Sequence, residues 1–443
     1  VGILQALPLT SISVTKSNVK PQPVVTLHEA KVFSLNSDGT GACVGEDGNI
    51  DLPFTLPGER VVYEKVKYPR SRRYYLKDIK QSSLQRATPV CPHFGTCGGC
   101  LLQHMDKALY AEYKKSLVTK ALQSYGLDPF VVQAPVILPF GKRRRINMDA
   151  IKKPEGLYLG FHRFKSHQIV DMRECHTVTP ALSNVRAALR DVLAAVMEDF
   201  QKAKIFLTQA ANGIDMSLEI QGVLELPAPK RQLLHTFAQT QNLARFIFKH
   251  GKKIDVIYLR EQPYVLFDEV RVPVDAYGFL QATQEADQAL ASHVMAHIPP
   301  TAKRILDLFC GRGTLSFPLS RLGHVDAYEG DAQPLEALQE GILSSKRPIN
   351  PYKRDLFTNP LPTADINTYD AVVVDPPRAG CEAQAAAIAA SYVPVVIYVS
   401  CNPQTFARDC KIFVDGGYRL HTVTPVDQFA WSPHVEVVSV LYK

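Results

Sequence analysis

The 443 residues include no apolar stretch long enough to cross a bilayer, which excludes a helical membrane protein. The opening VGILQALPLTSISVTK lacks both the basic start and the apolar length of a secretory signal, so a cytoplasmic location is expected. No internal repeat or low-complexity tract is present. Charge of neither sign dominates: 50 Lys+Arg against 43 Asp+Glu leaves +7, which by itself proves no partner. Nine cysteines is an odd number, which argues against a complete disulfide framework and turns attention to metal binding and catalysis. Cys43, Cys381 and Cys410 stand isolated and read as structural.

What is there belongs to a folded, multidomain chain. Hydrophobic content of 46% and charged content of 21% are ordinary for globular proteins, and the length implies two to four domains. Residues 1–23 read as an N-terminal extension. Residues 24–82 read as short strands punctuated by Asp38-Gly39, Asp47-Gly48 and Pro57-Gly58, a small β-barrel of OB type. Residues 60–80, RVVYEKVKYPRSRRYYLKDIK, set eight basic residues against Glu64 and Asp78, with Tyr63, Tyr68, Tyr74 and Tyr75 interleaved. Cations neutralise phosphates and aromatic faces stack on bases, so this is a candidate RNA surface; a solvated hairpin over buried tyrosines is the alternative. Residues 83–267 read as an α+β central domain, with helices near 106–125 and over LSNVRAALRDVLAAVMEDFQKA. From 268 to 443, RILDLFC, HVDAYEG, YDAVVVDPP and VVIYVSCNP alternate with helix-like segments. That pattern predicts an α/β Rossmann-like domain, a parallel sheet with helices on both faces.

RILDLFCGRGTLSFPLSRLG is a strand, a glycine turn and a helix start. It has neither the GxxxxGK[ST] nor the GxGxxG spacing of a phosphate-binding loop. Gly311 and Gly313 let the backbone bend beneath a ligand, Asp307 precedes the turn, and Glu329 ends the next strand, where a carboxylate can take both hydroxyls of a ribose. S-adenosyl-L-methionine is the ligand that suits this geometry. Asp375-Pro376-Pro377-Arg378 closes another strand, and its prolines force the chain out of the sheet beside the same cleft.

One strand later Cys401 follows VVIYVS, at a strand's open end. C5 of a uracil is a poor nucleophile. A thiolate adding to C6 creates an enolate whose C5 can take a methyl group, and a base must then remove the C5 proton so that the thiolate can leave. Glu436, inside the apolar HVEVVSVLY, is the candidate base, and His434 at i−2 is the runner-up.

CPHFGTCGGC sets Cys91, Cys97 and Cys100 in a C-x5-C-x2-C array, with Cys175 in MRECHTV as the supplier of a fourth thiolate. Four thiolates suit zinc or an iron–sulfur cluster. Three close cysteines and a distant one favour [4Fe–4S], while His93, His104 and His176 keep zinc open. KRRR at 142–145 reads as a second basic patch extending an RNA track, or as a charged turn.

Taken in order, DLFCGRGTLSFPL, VVVDPPRAG, VSCNPQTFARD and HVEVVSVL resemble the RNA uracil-5-methyltransferase family, and the likeness covers nearly the whole chain. DGTGACV with LPGERV is similar to a TRAM domain, the RNA-binding barrel of many members. The resemblance implies Cys401 as nucleophile and Glu436 as general base. It places Gln281, Phe309, Glu329, Asp355 and Asp375 around cofactor or target base. Where the family usually has Asn after the glycine turn, this chain has Thr314. The cysteine spacing resembles the ribosomal-RNA branch, which implies a [4Fe–4S] cluster on Cys91, Cys97, Cys100 and Cys175 and 23S rRNA as the partner, with its target base flipped out. No membrane and no obligate protein partner is expected.

Three rivals remain. A methylthiotransferase would want C-x3-C-x2-C and no Cys401 or Glu436. An RNA cytosine-5-methyltransferase would keep the covalent logic but commonly carries a second cysteine where this chain has DPPR. A catalytically idle RNA-binding factor on the same scaffold would not need the Cys401, Glu436 and Asp375 set.

Overall fold

The computed structural model describes residues 24–46, 48–68 and 71–443. The expected extension at 1–23, Asp47 of the second turn, and Pro69 and Arg70 of the basic stretch lie outside the described residues. The chain divides into two compact units. One holds the first five strands as far as Ser82; the other holds the Leu35–Thr40 turn and Ser83–Lys443.

The smaller unit is one antiparallel sheet of β1 (Val24–Leu35), β2 (Gly41–Gly45), β3 (Gly48–Leu52), β4 (Arg60–Tyr68) and β5 (Ser71–Gln81), in the order β3-β2-β1-β4-β5. Period-two alternation builds its core: Ala30, Val32, Ile50, Leu52, Val61 and Tyr63 turn inward. Tyr63 is fully buried, stacked on His28 and edge-on to Tyr74, so it belongs to the core and not to a base-stacking surface. Arg72, Arg73 and Tyr75 are exposed on β5.

In the larger unit, α1 (Lys107–Ser124) starts at Asp106, whose carboxylate accepts the Leu109 N–H, and β6 (Val136–Ile137) follows. Both fall within the span read as the central domain, yet α1 packs on the C-terminal helix over Pro403–Asp415, and β6 joins the C-terminal sheet. The central sheet runs β12-β11-β10-β9-β7-β8, built from β7 (Arg145–Lys153), β8 (Gly156–Gly160), β9 (Lys202–Ala210), β10 (Gly213–Ile220), β11 (Arg245–His250) and β12 (Lys253–Leu259). Helices α2 (Pro180–Val196) and α3 (Ala228–Thr240) cover it. The amphipathic helix expected through Ala203 stops at Val196, because residues from Lys202 onward pair in β9 with β7 and β10. A hairpin of β13 (Tyr264–Phe267) and β14 (Val270–Pro273) straddles the expected boundary at 267/268, and its Val265, Phe267 and Val272 enter the C-terminal core.

After α4 (Gln284–Met295) come β15 (Arg304–Leu308), α5 (Ser316–Leu319), β16 (His324–Glu329), α6 (Ala332–Ser345), β17 (Ile349–Lys353), α7 (Thr363–Ile366), β18 (Ala371–Val374), α8 (Glu382–Ala389), β19 (Val395–Ser400), α9 (Pro403–Asp415), β20 (Arg419–Asp427) and β21 (Glu436–Tyr442). Their sheet runs β17-β16-β15-β18-β19-β21-β20-β6. It is parallel from β17 to β19; β21 then runs antiparallel between β19 and β20. Alternation along β19 buries Ile397 and Val399 in the core shared with α4, while Tyr398 stacks on Phe406 of α9 from the other face. Strand order reverses between β15 and β18, and in doubly wound sheets that switch point opens a crevice at the strands' carboxyl ends.

Candidate active site

That crevice is part of a cavity of about 1260 Å³, lined by residues of the cysteine array, the 142–145 patch, the glycine turn, the Asp375–Arg378 loop and the Cys401 turn. Two of its walls follow from strand pairing. Antiparallel register sets Ser400 of β19 opposite Val437 of β21, so Cys401 and Glu436, the next residues outward, meet at the same edge. Asn402 caps α9 by accepting the Gln404 N–H, and Pro403 is its first residue, so the chain turns sharply at Cys401. Asn402 Nδ2 and Thr405 Oγ1 donate to the Arg378 carbonyl at 3.0 and 3.1 Å, clipping the Asp375–Arg378 loop to the turn.

The electrostatics at this edge are those of crowded acids. Burial pushes the Cys401 thiol up to about 11, with Glu436 and Asp375 raising it further and Arg378 opposing them. Burial and then Asp375 lift the Glu436 carboxyl well above the usual range, while a hydrogen bond from Gln428 favours its ionised form. Asp375 is raised by burial too. A resting thiol therefore faces groups able to take its proton. Glu436 is 2% exposed in an interior strand; His434 lies outside the strand, exposed, and its carbonyl accepts from Lys114 at 2.5 Å. His434, the runner-up base, lines the same cavity but stands two residues before the strand that pairs with the thiol's own.

On the other side, Phe309 leaves β15 with φ 61°, an uncommon conformation for an aromatic residue, and its ring lies 5.4 Å from Phe357. Gly311 and Gly313 follow with φ 56° and 92°. At Gly313 a Cβ would also strike Leu338 and Phe317, at 2.6 and 2.8 Å, so this glycine serves helix packing as well as the turn. Glu329 ends β16 with one carboxylate oxygen accepting the Gly311 N–H at 2.9 Å and the other the Asp331 N–H at 2.8 Å, which holds it against the turn. Asp355 accepts from Phe357 N and Thr358 Oγ1, bonds that keep its carboxyl below the ordinary value. Thr314 and Gln281 also line the cavity. Asp307 is fully buried, accepts the Ser316 hydroxyl at 2.5 Å and is pushed up to about 7 by burial, so it braces the turn from beneath.

Cys91, Cys97, Cys100 and Cys175 line the same cavity. Burial raises the first three thiols, and Cys175 raises each further, so the four sulfurs share one neighbourhood. The Gly99 N–H points at Cys97 Sγ, 3.4 Å away. Among the described residues, no three His, Cys, Asp or Glu side chains are set to grip a single metal ion, and all nine cysteines are free thiols.

In the 142–145 patch Lys142, Arg143 and Arg145 line the cavity, while Arg144 turns inward. Arg144 is buried, paired with Asp287 at 2.6 Å and bonded to the Gln281 carbonyl at 3.1 Å; Arg145 reaches the Leu280 carbonyl and lies 6.0 Å from the Phe279 ring. Lys142 is exposed and pairs with Glu285 at 3.2 Å. Arg144 and Arg145 hold the 279–282 loop in the cavity wall. Two residues were missed by sequence reasoning. Phe279 is 72% exposed at the cavity, and Gln428 bridges Gln281 to Glu436 at 2.7 Å each way. An aromatic two residues before Gln281 was a weak signal for Phe279; nothing in VDQFAW announced Gln428.

The tRNA (uracil-5-)-methyltransferase family model matches residues 355–443. An uncharacterized RNA methyltransferase of Agrobacterium fabrum is 40% identical over 420 residues, 93% of this chain and 98% of that protein. The 23S rRNA (uracil(1939)-C(5))-methyltransferase RlmD of Vibrio parahaemolyticus is 28% identical, over 94% and 97% of the two chains. The crystal structure of Pyrococcus abyssi tRNA (uracil-54, C5)-methyltransferase, in complex with S-adenosyl-L-homocysteine, is similar in fold, with a TM-score of 0.71, 22% identity and coverage of 93% of this chain and all of that one. With a full-length relative at this identity and the family model on its C-terminal sheet, the chain is a methyltransferase and belongs to the RNA uracil-5-methyltransferase family.

Proposed function

We propose that the protein methylates C5 of a uridine in 23S rRNA through a covalent adduct between Cys401 and C6. The observation that carries this reading is the strand register that sets Cys401 and Glu436 at one sheet edge, beside Asp375. The Cys401 thiol gives its proton to Asp375, which leaves Glu436 ionised, and its sulfur adds to C6, moving the C5–C6 pair into an enolate. Phe309, Gly311, Thr314, Glu329 and Asp355, which line the crevice, would with Gly313 of the turn hold S-adenosyl-L-methionine, which would supply an electrophilic methyl carbon for C5 and leave S-adenosyl-L-homocysteine as the by-product. Glu436 takes the C5 proton, the C5–C6 double bond re-forms, and the thiolate is expelled. Phe279 offers an exposed face for the flipped base.

Cys91, Cys97, Cys100 and Cys175 would hold a [4Fe–4S] cluster. Their shared cavity and the Gly99 N–H directed at Cys97 Sγ fit a sulfur-ligated group, whose role here is to hold the cavity wall, since no electron transfer enters the chemistry. The five-stranded unit, with Arg72, Arg73 and Tyr75 exposed, fits a TRAM-type RNA-binding barrel, and the cytoplasm is the compartment that supplies its substrate. The test is incubation with tritiated S-adenosyl-L-methionine and unmodified ribosomal RNA, followed by nucleoside analysis and fragment mapping. Label in 5-methyluridine of 23S rRNA is expected; label only in 5-methylcytidine, or none, overturns the reading.

A further inference from the structure

Gln428, Gln281 and Glu436 form a buried chain of hydrogen bonds at the cavity wall, 3%, 6% and 2% exposed. The two ends of a carboxamide are alike in shape and opposite in hydrogen bonding, but here the backbone settles which end is which. The Ala282 N–H, which can only donate, points at Gln428 Oε1 at 2.9 Å. Gln428 therefore turns its nitrogen towards Glu436 Oε2 and Gln281 Oε1, both at 2.7 Å, and that nitrogen can only donate in turn. Gln281 must meet it with its oxygen. What Gln281 has left is its amide nitrogen, which takes no protein acceptor among the described residues, on a side chain that lines the cavity.

We propose that Gln428 is a specificity-determining positioning residue, which turns the Gln281 amide nitrogen into the cleft and so fits the site to the C4 carbonyl of uracil and against the C4 amino group of cytosine. The inference rests on the uracil-C5 reading above. Glu436 works at C5 in that reading, C4 is the adjacent ring atom, and Gln281 stands one shared amide away from Glu436. A donor facing the uracil carbonyl makes a hydrogen bond. Facing the cytosine amino group it meets another donor, and both are left unsatisfied in a buried site, a mismatch of about ten- to hundred-fold in rate. Gln428 also keeps Glu436 an acceptor, so one side chain aligns the base and the discriminating amide together.

The experiment first maps the uridine methylated by the wild-type enzyme, then compares kcat/KM on two transcripts of that target that differ only in carrying U or C at the acceptor. A wild-type product other than 5-methyluridine overturns the underlying reading, and this one with it. If 5-methyluridine is made, Gln428→Met, which keeps the size and removes the donor, is expected to lower the U-to-C ratio about ten- to hundred-fold. Gln281→Met, which removes the discriminating nitrogen itself, should lower the ratio by a similar factor. An unchanged ratio in a Gln428→Met enzyme that still binds S-adenosyl-L-homocysteine like the wild type overturns the proposal. Should Gln428→Met lose that binding, Gln281→Met decides, and an unchanged ratio there overturns it equally.

Discussion

Lys114 Nζ lies 2.7 Å from Asp427 Oδ1, and neither side chain is exposed. The same ammonium donates to the carbonyls of Ser432 and His434 at 2.8 and 2.5 Å, while Tyr110 donates to the other Asp427 oxygen. A cation on α1 thus holds both ends of the loop that carries Gln428 and leads into Glu436. Burial lowers the Lys114 pKa and Asp427 opposes that shift. Lys114→Met leaves Asp427 buried without its cation, and about 3–5 kcal/mol of stability should be lost, read as a lower urea midpoint. Adding Asp427→Asn should recover part of it; equal midpoints for wild type and Lys114→Met would show that the pair contributes nothing.

Cys401→Ala should abolish both turnover and the covalent complex with 5-fluorouridine RNA, and turnover retained would remove the proposed nucleophile. The thiol's own titration is a separate check. Peptide-level alkylation of Cys401 should stay slow at neutral pH and rise towards a midpoint near 11. Arg378→Met should move that midpoint to higher pH, since the cation favours the thiolate, and Glu436→Gln should move it lower.

Glu436→Gln should let the adduct on ordinary uridine RNA accumulate while product formation stops; a normal product rate would pass the base role to another group. It also carries a stability signature. The folded-state carboxyl is pushed up to about 8 from an ordinary 4.5, so the native state binds the extra proton between those values and loses stability as pH rises through them. Relative to the wild type, Glu436→Gln should gain thermal stability from pH 5 to pH 8. A constant difference across that range would contradict the buried-acid account.

Protein purified anaerobically should carry iron and sulfide near four of each per chain if the [4Fe–4S] reading holds. Cys175→Ser should release them and lower stability. Zinc without iron or sulfide would replace the cluster by the mononuclear site.

Neutralising Arg72 and Arg73, both exposed on β5, should weaken RNA binding and make the slope of log K against log salt shallower, by about 0.7 for each single-stranded RNA phosphate that is no longer neutralised. An unchanged slope would return that strand to an ordinary solvated face.

Local chemistry carried most of this protein's organisation into its sequence. Apolar runs ending in Gly311, Asp375 and Cys401 announced parallel strands opening on one crevice, because a buried strand must be apolar and its functional residues must wait until it ends. Short strands between Asp38-Gly39, Asp47-Gly48 and Pro57-Gly58 announced the small antiparallel unit. What period and composition could not carry was the partner of each charged residue. Tyr63 and Arg144 each left two readings open, because an aromatic among cations and a run of arginines look alike on a surface or in a core. Only packing turned Tyr63 inward against His28 and placed Arg144 on Asp287.

Residue order carries the chemical inventory: a thiol at a strand's end, a carboxylate in the last strand, a glycine turn, and three close cysteines with a distant fourth. Tertiary structure alone decided their meeting. Cys401 and Glu436 lie 35 positions apart and come together because β21 inserts antiparallel beside β19, a register no local pattern encodes. The Gln428 bridge and the Lys114 clasp, from residues 147 and 313 positions from their partners, arise because buried polar groups must find hydrogen bonds wherever the fold supplies them.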